Sequence, residues 1–338
     1  MKRIDYFLIF FILITALLFR LYKFNIPLAD LHSWRQADTA AVARNFVKDG
    51  FDLFHPRYDD LSNVQSGFEN PQGYRMVEFP LYNALFAYLY KKFPLISLEQ
   101  WGRLVSIFFS LIIIFIVYYL VLKEKGRLPA FFSGLIYSIF PYFVFFSRVV
   151  LPETTALALS MISIFFLYQF SNIKKTNLLA ICYLLFAILF FSLSLLTKPT
   201  TIFYSLPLVF LFFQKYRLNI IRKIPFYIFF SLSFLPLFLW RNYIKNFPEG
   251  IPVNEWLLTS INTGNGLEKI FFRPAFFRWI FFERINNLIF GGYLTLFFIL
   301  GIISKQKKLF LFTILLSSLL YLTVFQGGNV QHEYYQTL

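Results

Sequence analysis

Carboxylates and cations recur in this chain where long apolar runs begin or end. Asp30 and Asp38 flank the segment LHSWRQA, Glu78 precedes Phe79-Pro80, and Arg148 and Glu153 bracket VVLP. Lys198 precedes Pro199-Thr200, Arg241 closes another apolar stretch, and His332 lies in the tail GGNVQHEYYQTL. Such groups at the edge of an apolar phase suit a reaction on a lipid-linked phosphate. Cations hold the phosphate, and a carboxylate takes a proton from an acceptor hydroxyl. Each residue also has a plainer role. Asp38 is a helix-start charge, Asp30 a turn residue after Pro27, and Glu78 an anchor at headgroup level. Arg148 and Glu153 form a turn ion pair, Lys198 and Arg241 are interface cations, and the tail tyrosines belong to an aromatic belt.

Composition says what must position these groups. Of 338 residues, 58% are hydrophobic, 22% aromatic and 14% charged, and the mean hydropathy is +0.62. Soluble domains carry about 25% charged residues, so a globular soluble enzyme is excluded, and 49 Phe and 21 Tyr exclude disorder. The lone cysteine, Cys182, allows neither an internal disulfide nor a cysteine-based metal cluster. An all-α polytopic membrane protein is expected.

Nine apolar stretches can each supply roughly 20 residues of helix: about 6–22, then 104–122, 128–147, 154–173, 176–197, 199–214, 224–240, 285–304 and 309–331. The first follows Lys2-Arg3 as a signal peptide would, but lacks a small-x-small cleavage site and is expected to stay as an anchor. Residues 79–90 are apolar but too short to cross, and charge decides their place. With 79–90 lying on the surface and the N-terminus cytoplasmic, the short inner segments carry 14 Lys/Arg against Asp5 and Glu124. If 79–90 crossed instead, those basic loops would face outward, against the positive-inside rule. The net charge of +15 is therefore a topology signal, and no nucleic-acid partner is needed.

In this topology 15 of the 17 acids and all three histidines (His32, His55, His332) face outward. They concentrate in two long external segments, about 23–103 and 241–284. Within the first, Ser33 and Gln36 form an S-x-x-Q capping box, which predicts a helix from about Trp34 to Val47 that Gly50 stops. Asp38, Ala41 and Asn45 share one side of it, with Val42 and Phe46 on another.

In order, HSWRQADTAAVARNF, EFPLYNALFAYLYKKF…WGRLVSIFFSLI, SRVVLPE, LLTKPT and HEYYQ resemble successive motifs of the GT-C glycosyltransferases. The branch is that of bacterial and archaeal relatives of protein O-mannosyltransferases and of the lipid A aminoarabinose transferase. The resemblance covers nearly the whole chain, though its single motifs are short and tolerant. It implies a single GT-C-like transmembrane domain over 1–338, with surface-lying helices and a catalytic aspartate in the first external loop. It further implies a polyprenyl-phosphate sugar donor, a lipid, glycan or protein acceptor, and inversion at the anomeric carbon in the plasma membrane. Relatives usually continue beyond this length, so a fragment or a short form is expected.

Aligned on Ala43-Arg44, the family's Asp-Glu pair falls on Arg35-Gln36, so the acid is displaced to Asp38 or to Asp30. The resemblance carries the acid or cation of the Pro-Pro-Leu-type motif onto Glu78 and the second-loop acid onto Glu153, with Arg148 beside it. Lys198, Arg241 and His332 become donor-phosphate or metal contacts, Arg35, Arg148 and Glu153 further donor-phosphate or acceptor contacts, and a divalent metal, if used, would draw on Glu78 and His332. A transporter or flippase would keep ionisable groups inside its spans; eight of the nine have none. A lipid-linked glycan polymerase or ligase shares the loops and the lipid donor and stands as the alternative.

Overall fold

The computed structural model describes residues 1–174, 177–252, 273–303 and 308–338, so 253–272 of the expected second external segment lie outside the described residues. Helices follow in the order α1 (Arg3–Arg20), α2 (Ser33–Asp49), α3 (Leu81–Lys92), α4 (Leu98–Lys125), α5 (Arg127–Ile139), α6 (Pro141–Phe146), α7 (Glu153–Asn172) and α8 (Leu178–Thr197). A 3₁₀ turn (Pro199–Tyr204) leads into α9 (Ser205–Tyr216), and then come α10 (Ile224–Tyr243), α11 (Pro274–Phe277), α12 (Leu294–Ile303), α13 (Leu309–Val324) and α14 (Gln326–Gln331). Among the described residues the only strand-like pairing is an isolated bridge between Arg57 and Tyr74.

Helix α7 sits at the centre, packed along α8 and α4, with α10 outside α8 and α1 against α5. Small residues let α7 and α8 approach. The Ser160 and Ser194 hydroxyls meet at 2.7 Å, Ser163 Oγ donates to Ala187 O at 2.7 Å, and Ser194 Oγ donates to Ala156 O at 2.8 Å. In lipid, where apolar burial between helices gains little, such close contacts and hydrogen bonds do the holding.

Four described helices are long and apolar enough to cross a membrane (α4, α7, α8 and α10), and a bent pair is either a fifth, broken span or a re-entrant loop. The other expected spans are shorter, broken or charged. The run 128–147 splits at Phe140-Pro141, because proline removes a backbone donor and turns the residue before it extended. Arg20, fully buried near the end of α1, fills that break. Its guanidinium donates to Tyr137 O and Ser138 O at 3.0 and 3.1 Å and to Ser147 Oγ at 2.6 Å. The run 285–304 is likewise not one straight helix. A π-helical stretch (Arg278–Ile289) meets α12 at 113°, turned by Gly291 and Gly292 at φ +62° and +83°, where side chains strain the backbone. The last run is helical only to Val324 before α14.

Contacts sort the helix ends into two groups. At one end Arg127 pairs with Asp5, Tyr168 donates to Glu124 at 2.8 Å, and Lys215 donates to Phe170 O at 2.9 Å. These bonds gather the start of α1, the α4–α5 turn and the ends of α7 and α9 into one basic end. At the other end Tyr82 Oη donates to Gly102 O at 2.8 Å, and Trp240 Nε1 donates to Val77 O at 3.2 Å. The start of α4, the end of α10 and the first loop meet there. Helix α3, 12 residues long, packs on α2 and α4 and is too short to span the hydrocarbon core by itself.

Candidate active site

Helix α2 forms as its composition predicts, but not with the expected cap. The N-cap is His32, in the left-handed conformation at φ 59°, and makes no side-chain cap bond; Ser33 is already the first helical residue. Gln36 is fully buried and does other work. Its Nε2 donates to Asp30 Oδ1 at 2.6 Å and to Leu31 O at 3.1 Å, and its Oε1 accepts from Val150 N at 3.1 Å. Tertiary demand for a tie between Asp30 and the α6–α7 turn outweighs a local cap. Gly50 does end the helix.

The charged residues separate into three groups. The first centres on Glu78, whose Oε1 accepts from Arg35 Nη2 at 2.9 Å and from Lys198 Nζ at 2.7 Å. Lys198 Nζ also pairs with Glu153 Oε1 at 3.0 Å, and the four side chains are 2–13% exposed. Two carboxylates and two cations thus balance in a nearly water-free setting, where one charge removed leaves another uncompensated. Burial opposes ionisation of Glu78, but Lys198 and Arg35 outweigh it and hold the carboxyl well below the usual range. Burial likewise works against the charged Lys198, and Glu153 and Glu78 overcome it, so its proton is held tightly.

Asp38 belongs beside this group. Together with Arg35, Arg75 and Glu78 it lines a narrow cavity of about 30 Å³. Arg75 Nη2 stands 3.9 Å from Asp38 Oδ2, too far for a hydrogen bond, and that oxygen has no hydrogen-bond partner. Arg75 itself is fixed by Gln65 Oε1 at 2.5 Å and by the Tyr58 ring, 5.1 Å from its guanidinium carbon. Burial raises the Asp38 pKa, and Arg75 and Arg35 offset that only in part. A carboxylate with raised proton affinity and a free face on a cavity has the properties of a general base.

The second group is Asp30 with Arg148, whose Nη2 lies 3.8 Å from Asp30 Oδ2. The expected Arg148–Glu153 turn pair does not form, because Glu153 faces Lys198. Nearby, Arg103 is buried and donates to the carbonyls of Phe24, Ile26 and Pro27, which holds the loop carrying Asp30. The third group is the tail. His32 Nε2 meets Glu333 Oε2 at 2.7 Å, and Arg284 pairs with the other oxygen. His332 lies between the Trp34 and Tyr335 rings, at 5.9 Å from each, and Lys198 Nζ stands 5.4 Å from the Tyr335 ring. Arg241 is half-buried in the last turn of α10, next to the Trp240 that bonds to Val77.

Glu78 and His332 are the contacts expected for a divalent metal. Two cations lie within 3 Å of Glu78, and no group of three or more His, Cys, Asp or Glu able to hold a metal occurs among the described residues. Arg75, Arg103, Arg284 and Glu333 are not among the site residues the sequence singles out, and Gln36 is expected only as a cap. Arg75 had one weak signal, its spacing three residues before Glu78. Arg103 and Arg284 had none, and Glu333 stood inside the quoted HEYYQ.

Residues 83–240 match the family model described as dolichyl-phosphate-mannose-protein mannosyltransferase. No curated protein matches the sequence. The chain thus resembles the GT-C polyprenyl-phosphate-sugar transferases and is a multi-pass membrane protein. Among solved structures it is similar to ArnT from Cupriavidus metallidurans, described as bound to undecaprenyl phosphate. The TM-score is 0.66 at 13% identity, over 97% of this chain and 57% of that one. At that identity the likeness is one of fold, and the chain spans little more than half of that relative. The matched stretch includes Arg148, Glu153 and Lys198 and leaves Asp30, Arg35, Asp38 and Glu78 outside.

Proposed function

We propose that the chain is a glycosyltransferase that moves a sugar from a polyprenyl phosphate to an acceptor hydroxyl, on the face that carries Asp38. Asp38 accepts the acceptor's proton as its oxygen forms a bond to the anomeric carbon. The bond from that carbon to the phosphate oxygen breaks with its electron pair, which leaves with the lipid phosphate and inverts the centre. Arg75 lines the same cavity and faces Asp38 at 3.9 Å, so it is the cation placed for the charge that develops; Arg35 lines the cavity too but is bound to Glu78. Lys198 and Arg148 are already engaged by carboxylates, so they position the site and are supporting phosphate ligands at most. Fixed cations at the leaving group, together with alignment of the two substrates, supply much of the rate.

The N-terminus and the basic end are cytoplasmic in this reading, and the Asp38 end is external in the plasma membrane. The observation that carries the proposal is the shared cavity of Asp38, Arg35 and Arg75 at the end of the bundle opposite the basic one. A transfer assay in membranes, with labelled polyprenyl-phosphate sugars and native lipid, glycan and protein acceptors, tests it. Asp38→Asn is expected to lose about 10²–10⁴-fold in rate, while Asp30→Asn keeps most of it. Full transfer by Asp38→Asn would sink the base assignment.

A further inference from the structure

The basic end of the bundle holds a groove that the transfer chemistry does not use. The end of α4, helix α12 and the start of α13 enclose about 260 Å³. Phe298, Ile302, Leu311 and Leu315 give it an apolar wall. Gly301 deepens it, since a Cβ there would meet nothing within 4 Å. Helix α12 buries none of its residues within the chain, so its apolar side of the groove is open to lipid.

Charge is confined to the rim. Lys125 and Lys308 line the groove, and among the described residues no acid does. Glu124, next in sequence to Lys125, is engaged by the Tyr168 hydroxyl at 2.8 Å. From Arg103, near Asp30, to Lys125, α4 rises about 33 Å at 1.5 Å per residue, close to the hydrocarbon thickness of about 30 Å. The two lysines therefore stand at headgroup level in the leaflet opposite Asp38. Basic pockets between spans at such a level suit phosphate headgroups.

We propose that this groove binds one anionic phospholipid, an acyl chain along α12 and α13 and the phosphate between Lys125 and Lys308. A free phosphate would leave the apolar wall uncovered, and a neutral phospholipid would gain nothing from two cations with no acid beside them. The inference does not depend on the transferase reading.

Delipidated protein in neutral detergent, titrated with phosphatidylglycerol, phosphatidylcholine or undecaprenyl phosphate, tests it by native mass spectrometry and thermal midpoint. Phosphatidylglycerol is expected to bind in preference to phosphatidylcholine. The double variant Lys125→Gln/Lys308→Gln should weaken it about tenfold or more, with phosphatidylcholine binding unchanged. Gly301→Leu, which fills open space, should weaken both phospholipids, and it carries the test alone if the double variant melts early without lipid. Equal binding of the two phospholipids, or phosphatidylglycerol binding indifferent to Gly301→Leu, would overturn the proposal. Tighter binding of undecaprenyl phosphate, lost in these variants, would assign the groove to the donor lipid and overturn it as well.

Discussion

Two carboxylates that line the same cavity behave oppositely. Glu78 is held ionised by Lys198 and Arg35, while Asp38, 3.9 Å from Arg75, keeps a raised proton affinity from burial. A base must be deprotonated, so transfer is expected to fall as pH drops through a value above the ordinary 3.8 for Asp. Arg75→Gln removes a cation that lowers this pKa, and the acidic limb of the pH–rate profile should move to higher pH. An unmoved limb would count against Asp38 as the group being titrated. Stability obeys a different sign. Because Glu78 is depressed and Lys198 raised, their network stabilises between the ordinary values of 4.5 and 10.5. Its contribution fades as pH falls through the Glu78 value or rises through that of Lys198. Lys198→Met leaves Glu78 and Glu153 facing each other without their shared cation. That should cost about 3–5 kcal/mol at neutral pH, partly recovered on acidification as one carboxyl takes a proton. Thermal melting of the variant and the parent in detergent across pH 5–8 reads the loss and its partial recovery.

Where a helix is interrupted, a side chain from another element enters the gap. The break at Phe140-Pro141 leaves the last carbonyls of α5 without helical partners, and Arg20 from α1 satisfies those of Tyr137 and Ser138. Buried acceptors left unmade cost about 1–3 kcal/mol each. Arg20→Leu is therefore expected to lower stability by about 2–5 kcal/mol, read as a lower melting midpoint, with the Lys198 network intact. An unchanged midpoint would mean that water or a neighbouring donor replaces the guanidinium. The turn before Arg75 is equally constrained: Gly73 has φ +64°, and a Cβ there would lie 2.6 Å from Tyr58 O. The hairpin-like segment that brings Arg75 to Asp38 depends on that glycine.

At the scale of the molecule, the two ends of the bundle differ in charge and in the chemistry they can perform. Val64, 83% exposed in the first loop, and Leu218, 84% exposed between α9 and α10, lie at opposite ends. In a Cys182→Ser background, Val64→Cys should react with a membrane-impermeant maleimide in intact cells, and Leu218→Cys only after permeabilisation. The reverse pattern would invert the topology and place Asp38 on the cytoplasmic side.

Hydrophobicity and charge bias act over a few residues at a time, and that is why much was legible along the chain. The membrane class, the short α3 and the helix expected from about Trp34 to Val47 are all local properties. The breaks were half-visible: Phe140-Pro141 and Gly291-Gly292 interrupt apolar runs whose composition alone reads as continuous. Ion pairing was not legible. Glu78 and Lys198 are 120 residues apart, and His32 and Glu333 are 301 apart. Which acid meets which cation depends on helix register and crossing, set by packing across the whole bundle. For the same reason Arg148 went to Asp30 and not to the nearby Glu153, and Gln36 left its expected cap to tie Asp30 to Val150. Residue types along one dimension supplied the groups for the chemistry; the three-dimensional packing assigned their partners, because burial makes every unpaired charge too costly to leave alone.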